Sequence, residues 1–477
     1  MTSDYIAYHV AERPDAVAIV NNGRHVTYAE LARHIRKFTH ALRALGLAPG
    51  AKAAINCDSS YFNWLLRLAF ERLRVITAVV ELPDRPTGLA HVQQFDIVLT
   101  ANSFPTGSGP RLHATTTAWL EGVLATGAED REPAPEKRPD DPIRIVLTSG
   151  TTGNSKKLLY TRRVHDTSIA RTQWFAGFAR DSRYLLALTN TVAGPAACIR
   201  AGGTVVIEDR MAVGQAIATH GITHTTLPPF TLKRVLDELP ADYAKPAELK
   251  ILSFGAAISR ALRERTLARL ATDLCDMYSS NEAGFVSSIS GTAEIGTIWP
   301  GARVEVVDEH DRPLPYGEAG QIRVRTDYML DGYLDDPETT ARIFRNGWFY
   351  AGDVGILHDA NRLEILGRGD DVLNIGWRKI APEVVEEMVL RAIAAADVGV
   401  CTTPNADGIE EICIAIAGAR TSDPELLARI TEAFRGFQFG RFHIIKVGGI
   451  PRTANGKLRR KVLKDAVADA IRQNAAR

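Results

Sequence analysis

The feature that most constrains the fold of this chain is a short apolar strand pattern followed by a loop rich in glycine and hydroxyl groups. Residues 143–146 read Ile-Arg-Ile-Val, and residues 147–157 continue Leu-Thr-Ser-Gly-Thr-Thr-Gly-Asn-Ser-Lys-Lys. Glycines at 150 and 153 let the backbone approach an anion closely, and N–H and hydroxyl groups can donate to phosphate oxygens. The loop is not a Walker A loop, because Gly153 is followed by Asn154 and not by lysine. The pattern therefore indicates a nucleotide loop of another kind or a solvated turn between two strands.

Strand and helix patterns alternate along most of the chain. Thr27, with Glu30 three residues later, predicts a helix that begins with a capping box. Such alternation is typical of an α/β architecture with largely parallel sheets. Between residues 295 and 366 the strand patterns become short and turn-separated, which indicates a small β-rich lobe. We expect a large N-terminal domain, residues 1–369, made of two α/β subdomains and this lobe, and a small α+β C-terminal domain, residues 370–477.

Composition excludes several classes of function. At 477 residues, the chain is too long for one hydrophobic core, and its net charge of +1 favours neither a nucleic-acid nor a membrane-surface partner. The five cysteines have neither disulfide nor metal-site spacing, which indicates a reducing compartment. We see neither a signal-peptide pattern nor an apolar run long enough to span a bilayer. We therefore expect a cytoplasmic protein without nucleic-acid or membrane partners.

Further motifs follow the loop in a fixed order. They are Phe-Gly-Ala-Ala-Ile-Ser at 254–259, Met-Tyr-Ser-Ser-Asn-Glu at 277–282, Gly-Trp-Phe-Tyr-Ala-Gly-Asp at 347–353, Gly-Arg-Gly-Asp-Asp at 367–371 and Pro-Arg-Thr-Ala-Asn-Gly-Lys at 451–457. Together with the loop, this ordered set resembles the signature of the adenylate-forming superfamily, which contains acyl-CoA synthetases, adenylation domains of peptide synthetases and luciferases. Each charged residue of these motifs has an ordinary interpretation when it is taken alone: Glu282 fits a helix end, Asp353 a turn and Lys457 a basic tail. The ordered set favours the resemblance.

The resemblance implies a role for each motif. Lys457 would be the catalytic lysine, carried by a mobile C-terminal domain that pivots at Asp370. Glu282 would hold Mg²⁺, with Asn281 beside it in the catalytic group. Tyr278 would stack on adenine. The residues expected to bind ATP are Thr148, Ser149, Gly150, Thr151, Thr152, Gly153, Lys156, Gly255, Ala256, Ala257, Tyr278, Ser279, Ser280, Asp353 and Arg368.

These residue types also suit the chemistry of adenylation. Attack of a carboxylate on the α-phosphorus of ATP brings two anions together, so the reaction needs positioning and charge neutralisation. Lys457 would supply a point charge between them, and Mg²⁺ on Glu282 would screen the pyrophosphate. Asp353 offers two acceptors for vicinal hydroxyls. We predict an ATP- and Mg²⁺-dependent, AMP-forming ligase of the acyl-CoA synthetase type, which transfers the acyl group of a carboxylic acid to CoA or to the phosphopantetheine of an acyl carrier protein.

Several positions depart from the pattern of the family. Asn281 stands where threonine is usual, and Thr191 where histidine or an aromatic residue is common. Trp377 replaces a small residue in the segment that faces the pantetheine tunnel, so the acceptor stays open. The chain lacks the Phe-Asp motif that holds an α-amino group, which disfavours α-amino acids. Two alternatives remain: an adenylating enzyme that uses an amine acceptor or a non-carboxylate substrate, and a nucleotide-binding protein without turnover.

Overall fold

The computed structural model of the protein describes residues 2–80, 92–101, 110–132, 136, 138–148, 156–187, 192–255, 257–369, 373–375, 378–380, 382–393, 395, 397–404, 410–418, 422–434, 442–453 and 458–475. The helices are α1 (Thr2–Glu12), α2 (Tyr28–Arg43), α3 (Ser60–Arg72), α4 (Thr117–Ala125), α5 (Arg162–Ala176), α6 (Ala193–Ala201), α7 (Val213–Thr219), α8 (Pro229–Glu238), α9 (Arg260–Arg269), α10 (Pro337–Ile343), α11 (Pro382–Ala392), α12 (Asp423–Ala433) and α13 (Arg460–Ala475).

The strands alternate with these helices through most of the chain. They are β1 (Val17–Asn21), β2 (Arg24–Thr27), β3 (Lys52–Asn56), β4 (Ile76–Val79), β5 (Ile97–Thr100), β6 (Arg111–Ala114), β7 (Pro142–Thr148), β8 (Lys156–Thr161), β9 (Arg183–Leu185), β10 (Thr204–Ile207), β11 (His224–Thr226), β12 (Lys250–Phe254), β13 (Asp273–Ser280), β14 (Gly284–Ser290), β15 (Gly296–Ile298), β16 (Ala302–Val307), β17 (Ala319–Thr326), β18 (Phe344–Arg345), β19 (Trp348–Leu357), β20 (Arg362–Arg368), β21 (Leu373–Ile375), β22 (Arg378–Ile380), β23 (Asp397–Pro404), β24 (Glu410–Ala417) and β25 (Phe442–Val447).

The largest sheet joins a parallel half to an antiparallel half. Its strand order is β16-β17-β19-β20-β15-β14-β13-β12-β11-β9-β10-β1-β2, with β18 paired to β19. Strands β1 and β9–β13 pair in parallel, whereas β13–β17, β19 and β20 pair antiparallel. The antiparallel half is the β-rich lobe expected from the sequence. Because β12 and β13 are parallel neighbours, the segments that follow them emerge at the same edge of the sheet.

A second sheet has the order β6-β5-β3-β4-β7-β8. Its last pair, β7 and β8, is antiparallel, and Thr148 stands opposite Lys156 in register. The two ends of the glycine-rich loop therefore belong to one hairpin, while residues 149–155 lie outside the described residues. The strand predicted before the loop is present as β7, and a second strand, β8, follows the loop.

Helices between the two sheets form the main core. One cluster of buried residues combines side chains of both sheets with α2, α3 and α6, among them Ile19, Ile55, Phe38, Leu65 and Ala197. Helix α2 begins with the predicted capping box: Glu30 N–H donates to Thr27 Oγ1 at 3.2 Å, and Thr27 N–H donates to Glu30 Oε2 at 2.9 Å. Leu31, Ile35, Phe38 and Leu42 recur at helical spacing and are buried.

The C-terminal part has a core of its own. Strands β23, β24 and β25 form a sheet, and α11 and α12 pack on it through Val385, Val389, Leu426 and Ile430. The predicted fold class, an α/β protein with a large N-terminal part and a smaller α+β C-terminal part, is confirmed at this level. The boundary at residues 369 and 370 and the mobility of the smaller part stay predictions.

Candidate active site

Three of the predicted ATP-binding residues, carried by β13, β19 and β20, contact one another through their side chains. The Tyr278 hydroxyl donates a hydrogen bond to Asp353 Oδ2 at 2.6 Å. Asp353 stands opposite Arg368 in register, and Arg368 Nη1 lies 3.2 Å from Asp353 Oδ1. Burial, and then the Asp353 carboxylate, raise the pKa of Tyr278, so its hydroxyl stays protonated and donates. Tyr278 holds Oδ2 and Arg368 holds Oδ1, which fixes the orientation of the carboxylate.

Gly352 is required by the backbone beside this carboxylate. Its φ of +80° lies in the left-handed region. A Cβ atom there would lie 3.1 Å from Arg368 Nη2. The Gly-Asp pair that ends the motif at residues 347–353 therefore has a structural reason: glycine lets the arginine reach the aspartate. The preceding aromatic residues of this motif lie in strand β19, not in a loop, as β-prone residues favour.

Glu282 lies in the turn that joins β13 to β14. The hydroxyl of Tyr333 donates to Glu282 Oε1 at 2.8 Å, and Lys156 Nζ lies 4.7 Å from the centre of the Tyr333 ring. Burial, and then Glu282, raise the pKa of Tyr333, whereas burial, and then Arg342, lower the pKa of Lys156. Lys156 and Glu282 thus both contact Tyr333, and this brings the lysine that ends the phosphate loop close to the predicted metal ligand.

The hairpin of the phosphate loop is tied directly to the Glu282 turn. The Tyr160 hydroxyl on β8 donates to the backbone carbonyl of Asn281 at 2.8 Å. Ser280 Oγ accepts a hydrogen bond from the N–H of Ala283 at 3.0 Å and closes the turn. Asn281 itself is exposed. These contacts keep strand β8 and the turn that carries Glu282 in a fixed relation to each other.

The predicted adenine segment follows β12 at the same edge of the sheet. Gly255 has a φ of +93°, and both Gly255 and Ala257 are exposed. The Ile258 N–H donates to Asp276 Oδ2 at 3.0 Å, and Arg263 Nη2 lies 3.5 Å from the same oxygen. Burial raises the pKa of Asp276 to about 6. Asp276, two residues before Tyr278 on β13, therefore anchors this segment to the strand that carries the tyrosine.

Several predicted residues lie outside the described part of the chain. They are Ser149, Gly150, Thr151, Thr152, Gly153, Ala256, Asp370 and Lys457, together with Thr191 and Trp377 among the departures. Thr148 ends strand β7, and Ser279 and Ser280 end strand β13. Their roles stay predictions.

Sequence reasoning missed Tyr333, Tyr160 and Asp276. Tyrosines and a single aspartate inside strand-like or loop segments look like ordinary packing residues. Tyr333 is separated from Glu282 by 51 positions, so only the tertiary structure reveals their contact. The one available signal was the position of Tyr160 in the strand after the phosphate loop.

Magnesium fits the donor set of this site. In the described part of the chain, we find no group of three or more His, Cys, Asp or Glu residues arranged to hold a metal ion. Nucleotide-bound Mg²⁺ usually takes one or two protein carboxylates, with phosphates and water supplying the remaining oxygens. Glu282, a single carboxylate beside the phosphate loop, meets that requirement.

Comparison with known proteins decides the family. A family model described as AMP-binding enzyme matches residues 6–334. The chain belongs to this family. This AMP-binding enzyme is 26% identical to the fatty acid–[acyl-carrier-protein] ligase ScoC of Streptomyces coeruleorubidus, over 96% of this chain and 95% of that protein. It is also 26% identical to a salicylyl-CoA synthase / salicylate adenylyltransferase of a Streptomyces species, over 96% of this chain and 92% of that protein.

Solved structures share the fold of this AMP-binding enzyme. ATP-bound MatB from Rhodopseudomonas palustris superimposes with a TM-score of 0.84 at 22% identity, covering 98% of this chain and 99% of that one. The O-succinylbenzoate coenzyme A synthetase MenE from Bacillus subtilis, in complex with ATP and magnesium ion, gives 0.83 at 21% identity, covering 97% and 99%. These matches confirm the predicted fold class.

The predictions that concern family and reaction type are confirmed at this level. The AMP-binding family and its curated relatives, which are ligases for acyl carrier protein or CoA, bear out an AMP-forming acid–thiol ligase. The MatB structure contains ATP, and the MenE structure contains ATP and magnesium ion. Within the described ranges, no helix is long and apolar enough to cross a membrane.

Proposed function

We propose that this AMP-binding enzyme joins a carboxylic acid to ATP, releases pyrophosphate, and transfers the acyl group of the resulting acyl-adenylate to the thiol of CoA or of carrier-protein phosphopantetheine. The observation that carries the proposal is the pair of neighbouring clusters, Tyr278–Asp353–Arg368 and Glu282–Tyr333–Lys156. One supplies an oriented carboxylate, and the other combines an acid with a cation. A nucleoside triphosphate needs both, because its ribose hydroxyls require an acceptor and its phosphates require a cation and a metal ligand.

The first cluster would bind the nucleoside. Asp353 has a side chain that is only 13% exposed, and its two oxygens are held by Tyr278 and Arg368. A carboxylate fixed in this way can accept hydrogen bonds from vicinal ribose hydroxyls without paying the entropy of ordering at that moment. The Tyr278 ring would stack on adenine beside Gly255, Ala256 and Ala257.

The second cluster would serve the phosphates. Lys156 and the backbone of residues 148–153 would contact phosphate oxygens, and Glu282 would hold Mg²⁺ with Asn281 beside it. When bound, Mg²⁺ would screen the negative charge of the departing pyrophosphate. The Tyr333 hydroxyl keeps one oxygen of Glu282 oriented, so the other oxygen is available for the metal.

The smaller C-terminal part would supply Lys457 as a separate domain. Its independent core supports a division into residues 1–369 and 370–477, with Asp370 as the hinge. Lys457 would neutralise the charge that builds up as the carboxylate attacks the α-phosphate. After adenylation, rotation about the hinge would remove this lysine and admit the thiol.

The test is ATP–pyrophosphate exchange against a panel of aryl, short-chain, long-chain and amino acids. We expect exchange with one class of acid, no exchange with α-amino acids, and loss of exchange in Lys457→Ala. AMP release is then followed with CoA, with a phosphopantetheinylated carrier protein and with amines as acceptors. We expect release to accelerate with a thiol.

Two results would reject this proposal in different ways. Acceleration by amines alone would favour amide formation, the chemistry named for McbA from Marinactinospora thermotolerans, whose solved structure matches with a TM-score of 0.76. ATP binding without exchange on any acid would favour a nucleotide-binding protein without turnover.

A further inference from the structure

The segment that carries Lys457 is closed at both ends by backbone contacts. Arg452 and Leu458 form an antiparallel bridge, and the N–H of Arg459 donates to the carbonyl of Pro451 at 2.8 Å. Most of the residues between these contacts lie outside the described part of the chain. Because the two described flanks meet, whatever holds the flanks limits where the few residues between them can lie.

The first flank is held by a bidentate ion pair. Arg452 Nε donates to Asp397 Oδ2 at 2.8 Å, and Arg452 Nη2 donates to Asp397 Oδ1 at 2.7 Å. Asp397 begins β23, and its Oδ1 also accepts a hydrogen bond from the N–H of Val398 at 2.9 Å. Two parallel bonds between a guanidinium and a carboxylate fix orientation as well as distance. The first flank of the Lys457 segment is therefore attached to the beginning of β23.

The second flank is held by a buried arginine. Arg460, three residues after Lys457, is only 7% exposed. Its Nη1 donates to Glu386 Oε1 at 2.6 Å and to the carbonyl of Val400 at 2.7 Å, and its Nη2 donates to Glu383 Oε1. Burial opposes the charge of Arg460, but the carboxylates of Glu383 and Glu386 outweigh burial and raise the pKa of this arginine. Arg460 thus joins the beginning of α13 to α11 and β23.

Apolar contacts bring both flanks to the same point of β23. A Cβ atom at Gly399 would lie 2.8 Å from Leu463 Cδ2, 3.2 Å from Ile450 Cγ2 and 3.4 Å from Leu458 Cδ1. Ile450 precedes the motif and Leu458 follows it, so the absence of a side chain at Gly399 lets the two flanks approach the strand closely. With Leu463, they belong to one apolar cluster that β23, β24, β25 and α13 share.

Two ion pairs, Arg452 with Asp397 and Arg460 with Glu386, make up what we call the Lys457 clamp. We propose that the clamp positions Lys457 for the adenylation step. The inference rests on the proposed function and deepens it. By fixing both flanks of the segment, the clamp would hold the ammonium group where the carboxylate attacks the α-phosphate. Its four residues act through Lys457 and take no part in the bond changes, so they should matter for adenylation and not for thioester formation.

The experiment measures two half-reactions of the full-length enzyme separately: ATP–pyrophosphate exchange with the best acid, and thioester formation from supplied acyl-AMP. The clamp variants Asp397→Asn and Arg452→Met break the first ion pair, whose side chains are 32% and 26% exposed, so water can solvate the partner left behind. Arg460→Lys keeps the buried charge beside Glu386 and removes the planar fork that also reaches the carbonyl of Val400.

Arg429→Met is the matched control. Arg429 lies on α12 in the same C-terminal part and also pairs with a carboxylate, Glu425 Oε1 at 2.6 Å, but it is 51% exposed and lies outside the clamp. We expect each clamp variant to lower the kcat of pyrophosphate exchange at least about tenfold, because a displacement of about 1 Å is enough to do so. The KM for ATP and for the acid, and the rate of thioester formation, should stay within about twofold of the wild type. Arg452→Lys should fall between Arg452→Met and the wild type.

Amide hydrogen exchange of the ligand-free proteins separates positioning from structural support. In the wild type, the N–H of Arg459 is held by the carbonyl of Pro451. We expect peptides that cover residues 450–461 to exchange hydrogen at least about tenfold faster in Arg452→Met, with the peptides of β24 and α12 unchanged. Faster hydrogen exchange throughout the C-terminal part, together with equal loss of both half-reactions, would mean that the ion pair serves the fold, and would overturn the inference.

The remaining outcomes are distinct. Unchanged pyrophosphate exchange in a clamp variant, while Lys457→Ala abolishes it, would overturn the inference for that ion pair and leave the proposed function intact. A higher KM for ATP with an unchanged kcat would mean that the clamp serves nucleotide binding, and would also overturn the inference. Wild-type pyrophosphate exchange in Lys457→Ala, or exchange with no acid while ATP still binds, would overturn the proposed function together with this inference.

Discussion

Replacement of Tyr278 by phenylalanine tests whether the Tyr278–Asp353 contact serves nucleotide binding. The substitution keeps the ring that would stack on adenine and removes only the hydroxyl that donates to Asp353 at 2.6 Å. A hydrogen bond to a charged group contributes roughly 1.5–3 kcal/mol. Arg368 still holds the other oxygen at 3.2 Å, and the slight exposure of Asp353 lets water replace part of the loss. We therefore take the lower value, about 1.5 kcal/mol, which corresponds to roughly a tenfold weaker affinity for ATP.

The assay is calorimetric titration of ATP, together with pyrophosphate exchange at varied ATP and at varied acid. We expect the Kd and KM for ATP to rise about tenfold, with the KM for the acid within about twofold of the wild type. Tyr28→Phe is the control: its hydroxyl donates to the carbonyl of Gly203 at 2.8 Å, a buried contact with a neutral acceptor outside the site. A Tyr278→Phe enzyme with unchanged affinity for ATP would refute the argument, as would equal losses for ATP and for the acid.

Three other substitutions follow from the structure and the motifs. Tyr333→Phe removes the hydroxyl that orients Glu282, so we expect the Mg²⁺ concentration for half-maximal exchange to rise about fivefold to tenfold. Lys457→Ala should abolish acyl-adenylate formation but largely spare thioester formation from supplied acyl-AMP, measured as separate half-reactions. Asp276→Asn should remove a pH dependence of stability. Burial raises the pKa of Asp276 from 3.8 to about 6, so the folded state holds the carboxyl proton more tightly than the unfolded state. The stabilisation from this proton is therefore full below pH 3.8 and is lost as the pH rises through about 6. Urea unfolding from pH 4 to pH 7 would measure the difference.

Each of these has an outcome that contradicts it. An unchanged Mg²⁺ requirement in Tyr333→Phe would mean that the tyrosine only packs against Lys156. Equal loss of both half-reactions in Lys457→Ala would refute the proposal that Lys457 serves adenylation and is removed by domain rotation before thioester formation. Parallel stability curves for Asp276→Asn and the wild type over this pH range would show that Asp276 titrates without its shift; Asp273→Asn, an exposed position on the same strand, is the control.

The sequence predicted the architecture because its signals are local. The capping box of Thr27 and Glu30 and the apolar spacing along α2 depend on residues three or four apart, and the structure contains them as predicted. The alternation of strand and helix patterns predicted the α/β class for the same reason, because each of these patterns is also local. The ordered motifs identified the family, since each motif is a continuous stretch in which the spacing of residues can be read directly.

The arrangement of the candidate site could be predicted only in part. Asp353, Arg368, Tyr278 and Glu282 were named from motifs, but nothing in those motifs indicates that the Tyr278 hydroxyl contacts Asp353 across 75 positions. Tyr333 was missed entirely, because a tyrosine in a segment between a strand and a helix looks like a packing residue until its partner, Glu282, is known.

What the sequence by itself determined is therefore the family, the class of fold and the identity of the motif residues. What only the tertiary structure decided is which distant residues share a site: Tyr333 with Glu282, and Asp276 with the segment after β12. The physical reason is that periodicity and capping act between neighbours in the chain, whereas these contacts depend on strand register and on helices packed between two sheets, which the whole chain sets at once.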